Sequence, residues 1–348
     1  NVQHTVRALY STAPLPLWTE GHTLELTGGG DLARDYLLTY QFRGDAHRQF
    51  TADGYVQADF HLGAQWEAVA TVRYDYFSVG HHGRPTTKLT ARYRNGAWTL
   101  RASYGQGFRA PTLKEKYMNF FLNDIFIIRG HEQLRPEVSH NWHVSADWSK
   151  GGTEVSSSVS YNRVLDRITT AEPTTERDGL SGLPFVDYVN VPRLTVWNVQ
   201  LSVNHRRRLG SGTLSGTFQY AFTHEQAPTV GTLTPYMPAR PHSATARLAY
   251  DRRLSPQYAV GVQLSGRFLS ALSGREYNSA TGASRTLHYP AYALLRLALT
   301  QQMGTAVRLN LTADNLLNYR PHIYYYNAPL TDGLNLSVGM TLDLDRLF

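Results

Sequence analysis

Segments of about ten residues in which apolar and polar side chains strictly alternate recur from one end of this chain to the other. The stretch LSGTFQYAFT sets Leu214, Gly216, Phe218, Tyr220 and Phe222 against Ser215, Thr217, Gln219, Ala221 and Thr223. The final LNLSVGMTLDLDRLF does the same with Leu334, Leu336, Val338, Met340, Leu342 and Leu344 against Asn335, Ser337, Gly339, Thr341, Asp343 and Asp345. A period of two is the signature of a strand with two unlike faces, not of a helix.

Similar runs carry Trp197, Val199, Leu201 and Val203; Val260, Val262, Leu264 and Phe268; and Val307, Leu309 and Leu311. Weaker matches fall at Val2–Tyr10, His22–Ala33, Thr51–His61, Trp66–Phe77, Thr86–Arg94, Ala97–Gly107, Glu137–Ser149, Thr153–Thr169, Ser243–Asp251 and His288–Thr300. Together they predict roughly fifteen strands and no amphipathic helix. GGG at Gly28–Gly30 lies inside one strand, where it points to close packing or a kink.

The connections alternate in length. Leu62–Gln65, Asn95–Gly96, Lys150–Gly152, Leu209–Ser211, Arg253–Ser255 and Gln302–Met303 are short. Arg34–Phe50, Phe108–Pro136, Thr170–Asp187, His224–Pro241, Ser270–Leu287 and Asp314–Gly333 are long. A soluble sandwich has no reason to gather its long loops at one end of its strands, whereas a transmembrane barrel has short turns on one side and long loops on the other. Strands near ten residues also match the ~9–11 that a tilted membrane strand needs. The expected fold is therefore all-β, a transmembrane antiparallel β-barrel with one row of each strand toward lipid and the other toward a polar lumen.

Composition agrees. A hydrophobic share of 42% leaves no apolar run of the ~18 residues that a membrane helix takes. The 22 Tyr, 13 Phe and 6 Trp suit strands and the aromatic girdles of a barrel alike. No cysteine is present, which excludes disulfides and thiolate metal sites. The net charge of +7 is dispersed, its only clusters being Arg206–Arg208 and Arg252–Arg253 in short turns, so no nucleic-acid partner is expected. The first residues, NVQHTVRALY, are not a signal peptide, and an exported protein would have lost one. There is no GxSxG, HExxH or phosphate-cradling glycine loop, and no enzymatic activity is expected.

Several segments resemble TonB-dependent outer-membrane receptors. YGQGFRAPTLKEKY (Tyr104–Tyr117) is similar to the FRAP box, through Phe108, Arg109, Ala110 and Pro111. LRPE (Leu134–Glu137) resembles the second half of the box that follows it, through Leu134, Pro136 and Glu137. ADNLLNYRP (Ala313–Pro321) resembles the NLF-type segment near the C-terminus, through Asn315 and Leu316, and the terminal Phe348 resembles the aromatic last residue of such barrels. VRYDYFS (Val72–Ser78), VLDRITTA (Val164–Ala171) and RPHSATARLAY (Arg240–Tyr250) extend the likeness, which is nearest to haem and cobalamin receptors of Bacteroides-like bacteria.

The resemblance implies a 22-stranded barrel in the bacterial outer membrane with a plug in its lumen, energised through TonB. Residues 1–348 would then be the C-terminal part of the barrel without the plug, with outer-membrane lipid, lipopolysaccharide and a surface lipoprotein haemophore as partners. The implied cargo is haem, with cobalamin as the alternative; a plugless passive pore is a third reading, and an outer-membrane lipase or protease a fourth.

Haem receptors of this kind place a ligating His between the two boxes, but Thr112–Gly130 holds none, and the nearest is His131. It would ligate iron beside flat faces from Tyr117, Phe120, Phe121 and Phe126, or else be an exposed loop residue beside interfacial aromatics. His81 and His82 could add a second ligand, although adjacent side chains on an extended segment point apart. Arg109 could clamp a haem propionate bidentately or tie loop to wall. Tyr324–Tyr326 could stack on a ligand or join the interfacial girdle.

Overall fold

The computed structural model describes residues 2–17, 20–38, 46–122, 125–226, 239–278, 283–321, 329 and 331–343. Strand β1 (Val2–Ser11) and the two-residue β2 (Leu15–Pro16) lead into β3 (His22–Leu37), followed by β4 (His47–Leu62), β5 (Trp66–Phe77), β6 (His82–Asn95) and β7 (Trp98–Arg109). A helix, α1 (Leu113–Tyr117), and two short strands, β8 (Asn119–Leu122) and β9 (Phe126–Arg129), come next. The long strands resume with β10 (Glu137–Lys150), β11 (Thr153–Thr170), β12 (Phe185–Leu209), β13 (Gly212–Gln226), β14 (His242–Ser255) and β15 (Tyr258–Leu269). A separate hairpin, β16 (Leu272–Asn278) with β17 (Ala283–Tyr289), precedes β18 (Tyr292–Met303), β19 (Val307–Asp314) and β20 (Asn335–Leu342).

Of the eighteen strands in the main sheet, β2, β8 and β9 are short side pieces, and the other fifteen form one antiparallel ladder from β1 to β20. Its turns are tight at one end, where Gly96 (φ 54°) and Gly210 (φ 61°) take the left-handed backbone that a two- or three-residue reversal demands.

Register shows what the alternation is for. Val144 lies opposite Ala102 and Val159, Val159 opposite Val199, and Val199 opposite Phe222, which makes an unbroken apolar row across β7 and β10–β13. One residue along, Ser145 lies opposite Arg101 and Ser158, Ser158 opposite Gln200, Gln200 opposite Ala221, and Ala221 opposite Ser243. The apolar row is bare: Val144 is 59% exposed, Val72 56% and Leu336 71%. Water would penalise such a surface by about 25 cal/mol per Å², and a sheet-wide patch of this kind marks contact with another apolar medium. Aromatic residues lie on the same face, with Trp142, Tyr161 and Trp197 in consecutive contact at 5.4 and 4.6 Å. The polar face pairs its charges instead, Arg7 with Asp31 at 2.7 Å, Arg73 with Asp53 at 3.0 Å and Asp75 at 2.8 Å, and Arg92 with Glu67.

Three sequence expectations need correction. A helix exists, α1, and at five residues it is too short to show a periodic stripe. The segment Ser270–Leu287 read as a long loop contains β16 and β17, a hairpin closed by Ser273 Oγ and His288 Nδ1 at 2.7 Å. Strands β4, β6 and β12 begin earlier than Thr51, Thr86 and Trp197, because pairing continues past the last clear alternation. As a portion of a barrel would, the ladder stays open among the described residues: β1 and β20 each keep one edge unpaired. With fifteen antiparallel strands these two run the same way, and an all-antiparallel ring takes an even number.

Gly28–Gly30 do lie inside β3. A Cβ on Gly29 would meet the Tyr55 hydroxyl and the Ala8 carbonyl, both at 2.9 Å, so Gly29 leaves room for the Tyr55 side chain against the wall. Phe348 and Tyr324–Tyr326 lie outside the described residues.

Candidate functional site: the loop-bearing rim

The two boxes between β7 and β10 meet through one arginine. Arg109 ends β7 directly opposite Glu137, which begins β10. Its Nε and Nη2 donate to Glu137 at 3.0 and 2.7 Å, while Nη1 donates to both oxygens of Glu115 at 2.9 Å. Glu137 Oε1 also accepts the Ile168 N–H at 2.6 Å, which extends the tie to β11. Two carboxylates thus surround one guanidinium and occupy four of its five N–H groups, leaving no surplus positive charge for an incoming carboxylate.

Glu115 is held ready by the local sequence. Thr112 caps α1, its Oγ1 accepting the Glu115 N–H at 3.2 Å, while Glu115 accepts the Thr112 N–H at 2.8 Å. This T-x-x-E capping box satisfies orphan donors at the helix start and fixes the glutamate beneath Arg109. Ala110 and Pro111, buried, turn the chain over the polar face, where a cavity of about 470 Å³ beneath α1 is lined by Gln3, Asp35, Gln49 and Thr51 together with Pro111 and Lys114.

The return path from β8 and β9 is equally ordered. Gly130 N–H donates to the Met118 carbonyl at 2.7 Å and His131 N–H to that of Glu115 at 2.9 Å. Leu134 is buried, and the Arg135 backbone exchanges hydrogen bonds with the Asn190 side chain at 2.7 and 2.9 Å. Arg129 reaches Asp187 at 2.6 and 3.0 Å and Glu176 at 3.0 and 3.3 Å, with its guanidinium 4.3 Å from the Phe185 ring centre. Strand β9 adds in parallel to the start of β12. The rim is therefore a small folded layer with its own core of Ile127, Leu134, Val186 and Val191.

The expected ligand residues are distributed across this layer. His131 is exposed on the segment that returns along α1. The Tyr117 ring stacks on His47, centroids 3.9 Å apart and 11° from parallel. Phe120 lies opposite Ile128 and Phe126 opposite Leu122, on one face of the β8–β9 hairpin; Phe121, opposite Ile127, takes the other face and is 49% exposed. The three phenylalanines thus do not form one platform. His81 sits in the β5–β6 turn at φ 50°, its Nδ1 3.2 Å from the Tyr76 hydroxyl. His82 begins β6, and its Nε2 is buried without a hydrogen bond. The described residues contain no cluster of three or more metal-ligating side chains.

Sequence reasoning missed Lys116 and His47. Lys116 is 6% exposed; burial lowers its pKa, and attraction to Glu132 works against that. Burial raises the Tyr117 pKa beside it. No motif advertises either position, and only the T-x-x-E spacing could have revealed Glu115. Near the C-terminus, Asn315 takes φ 54° and stitches the loop, accepting the Tyr319 N–H at 3.0 Å and donating to the Tyr319 carbonyl at 2.8 Å and Thr331 Oγ1 at 3.1 Å; Leu316 follows it, partly exposed.

Solved structures share this fold. The siderophore receptor PirA from Pseudomonas aeruginosa is 16% identical with a TM-score of 0.66, covering 98% of this chain and 56% of its own. A ferric enterobactin receptor variant, PfeA, from Pseudomonas aeruginosa in complex with enterobactin is 14% identical with a TM-score of 0.64, covering 98% and 54%. The FrpB iron transporter from Neisseria meningitidis is 15% identical with a TM-score of 0.62, covering 94% and 53%. The chain thus spans a little over half the length of these proteins. No curated protein matches it in sequence. The family described as TonB dependent receptor-like, beta-barrel matches residues 10–316. From the bare apolar face, the paired polar face, the loops gathered at one rim and that match, the chain belongs to the TonB dependent receptor-like, beta-barrel family, a family of outer-membrane transport proteins and not of enzymes.

Proposed function

We propose that residues 1–348 are the C-terminal part of the barrel of a receptor that takes up an iron complex across the outer membrane. In this reading, strands outside the stretch close the ladder between β1 and β20, a plug outside it fills the lumen, and TonB supplies the energy through that plug. The observation that carries the reading is the rim itself: a folded layer of α1, β8 and β9 over the polar face, at the end where the long connections gather. The solved structures of like fold, named as siderophore receptors and an iron transporter, support iron as the element carried.

Within that class, haem is the finer reading. His131 is an exposed imidazole of the rim, a neutral nitrogen suits ferric porphyrin, and Tyr117 and Phe121 offer flat faces near it in sequence. A surface lipoprotein haemophore would then deliver the cargo. A ferric siderophore is the second reading, supported by the siderophore and ferric enterobactin receptors among the solved structures of like fold. Titration of the whole purified receptor with haemin, a ferric catecholate and cyanocobalamin separates them. Haem uptake requires a Soret shift that His131→Ala abolishes. A Soret band that His131→Ala leaves unchanged removes the axial-ligand role, tight binding of the catecholate installs the second reading, and tight binding of cyanocobalamin alone replaces iron as the cargo. Planar-bilayer conductance without ligand would mark an open pore instead.

A further inference from the structure

The cavity beneath α1 brings together two charges of opposite sign that are not bonded to each other. Its floor is one row of the polar face, where Gln3 on β1 lies opposite Asp35 on β3, and Asp35 opposite Gln49 on β4. Its roof is the start of α1 with the turn before it, which contribute Lys114 and Pro111. Asp35 is partly exposed and Lys114 exposed, and neither makes an ion pair among the described residues. On the same polar face, by contrast, Arg7 pairs with Asp31, Arg73 with Asp53 and Asp75, and Arg109 with Glu115 and Glu137.

Gln49 points to an occupant independently of those charges. It is only 8% exposed, lines the cavity, and its carboxamide makes no hydrogen bond among the described residues. Buried polar groups are nearly always hydrogen-bonded, and leaving one unpaired is costly. The space still open to this amide is the cavity, so its donor and its acceptor are available to whatever fills it.

The volume, about 470 Å³, falls within the ~300–1,000 Å³ of small-molecule sites. The chemistry of the walls then selects the ligand. A plain anion would meet Asp35, and a plain cation would meet Lys114. A ligand carrying both an ammonium and a carboxylate satisfies floor and roof together, and the carboxamides of Gln49 and Gln3 can exchange hydrogen bonds with an amide between its ends. Leu37 and Phe77 supply apolar contact for a short aliphatic stem.

We infer that this cavity binds a small peptide-like zwitterion, its ammonium on Asp35, its carboxylate on Lys114 and its amide on Gln49. The site rests on the cavity alone and does not depend on which cargo the receptor carries.

Ligand-observed saturation-transfer NMR on the whole receptor in detergent, with glycylglycine, N-acetylglycylglycine and glycylglycine amide, tests it. The wild type should bind glycylglycine at least ten-fold more tightly than either capped form. D35N should lose the preference over the acetylated peptide and keep that over the amide, K114Q should do the reverse, and Q49L should weaken glycylglycine at least five-fold. No binding of glycylglycine by the wild type, equal binding of the three peptides, or preferences unchanged in D35N and K114Q overturn the inference. Circular dichroism verifies the fold of each variant, and the wild-type comparison decides the matter even where a variant does not fold. A receptor absent from isolated outer membranes would strike the proposed function instead and leave these peptide preferences as they are.

Discussion

Replacing Arg109 by Gln should unlock the rim without unfolding the sheet. The guanidinium makes four hydrogen bonds to Glu115 and Glu137, and its loss leaves two carboxylates without their shared counter-charge. A hydrogen bond to a charged group contributes about 1.5–3 kcal/mol when well buried. Here the Arg109 side chain is 40% exposed, so solvent screening cuts the sum sharply, and about 2 kcal/mol is the reasonable scale for undocking α1 from β7 and β10. That corresponds to about 30-fold faster local opening. Hydrogen exchange read by mass spectrometry should report it at the amides of Met118, His131 and Ile168, each bonded within or directly to this layer. Amides at mid-β11 should be unchanged, and R109Q/E115Q should recover part of the loss. Exchange at these amides within threefold of wild type, combined with lost cargo binding, would refute the structural role and return Arg109 to the ligand.

Three further outcomes follow from the two-faced sheet and its stitches. Val159→Arg, on the bare face at mid-strand, should cost about 2–4 kcal/mol in folding into vesicles, whereas Ser158→Arg next to it should be nearly neutral; urea titration of refolded protein compares them. Gly29→Val should cost about 1–3 kcal/mol by forcing the side chain against Tyr55 and the Ala8 carbonyl, read as a lower urea midpoint with unchanged slope. Asn315→Ala removes three hydrogen bonds at a left-handed residue, and should loosen 315–321 by about 1–3 kcal/mol, visible as faster proteolysis there than at any β-turn.

The long alternating strands were legible because their two solvents differ: Val144, Val159 and Val199 face one medium, Ser145, Ser158 and Gln200 the other, and a one-residue slip would exchange them. The loop-bearing end was legible for the same reason, since turn length reports the side of the membrane. Closure was not, because an open ladder and a closed one share the same local pattern. The rim was legible only in part. Phe108–Pro111 and Leu134–Glu137 were singled out, but that Arg109 and Glu137 are each other's partners depends on β7–β10 register, which composition does not encode. The α1 helix escaped because five residues give no stripe, although its capping box was written in Thr112 and Glu115. The proposed platform of Phe120, Phe121 and Phe126 overlooked that a two-stranded hairpin sends neighbours to opposite faces, as it does here.

The absence of cysteine from residues 1–348 makes the decisive measurement direct on this part of the barrel. Single cysteines at successive positions from Asn141 to Asp147, each spin-labelled in the receptor reconstituted into vesicles, report access to oxygen, which dissolves in lipid, and to a water-soluble nickel chelate. Labels at Trp142, Val144 and Ala146 should favour oxygen, and those at Asn141, His143, Ser145 and Asp147 the nickel chelate, with a period of two. Accessibility without that alternation, or with both faces shielded from both reagents, would contradict lipid as the medium of the apolar face.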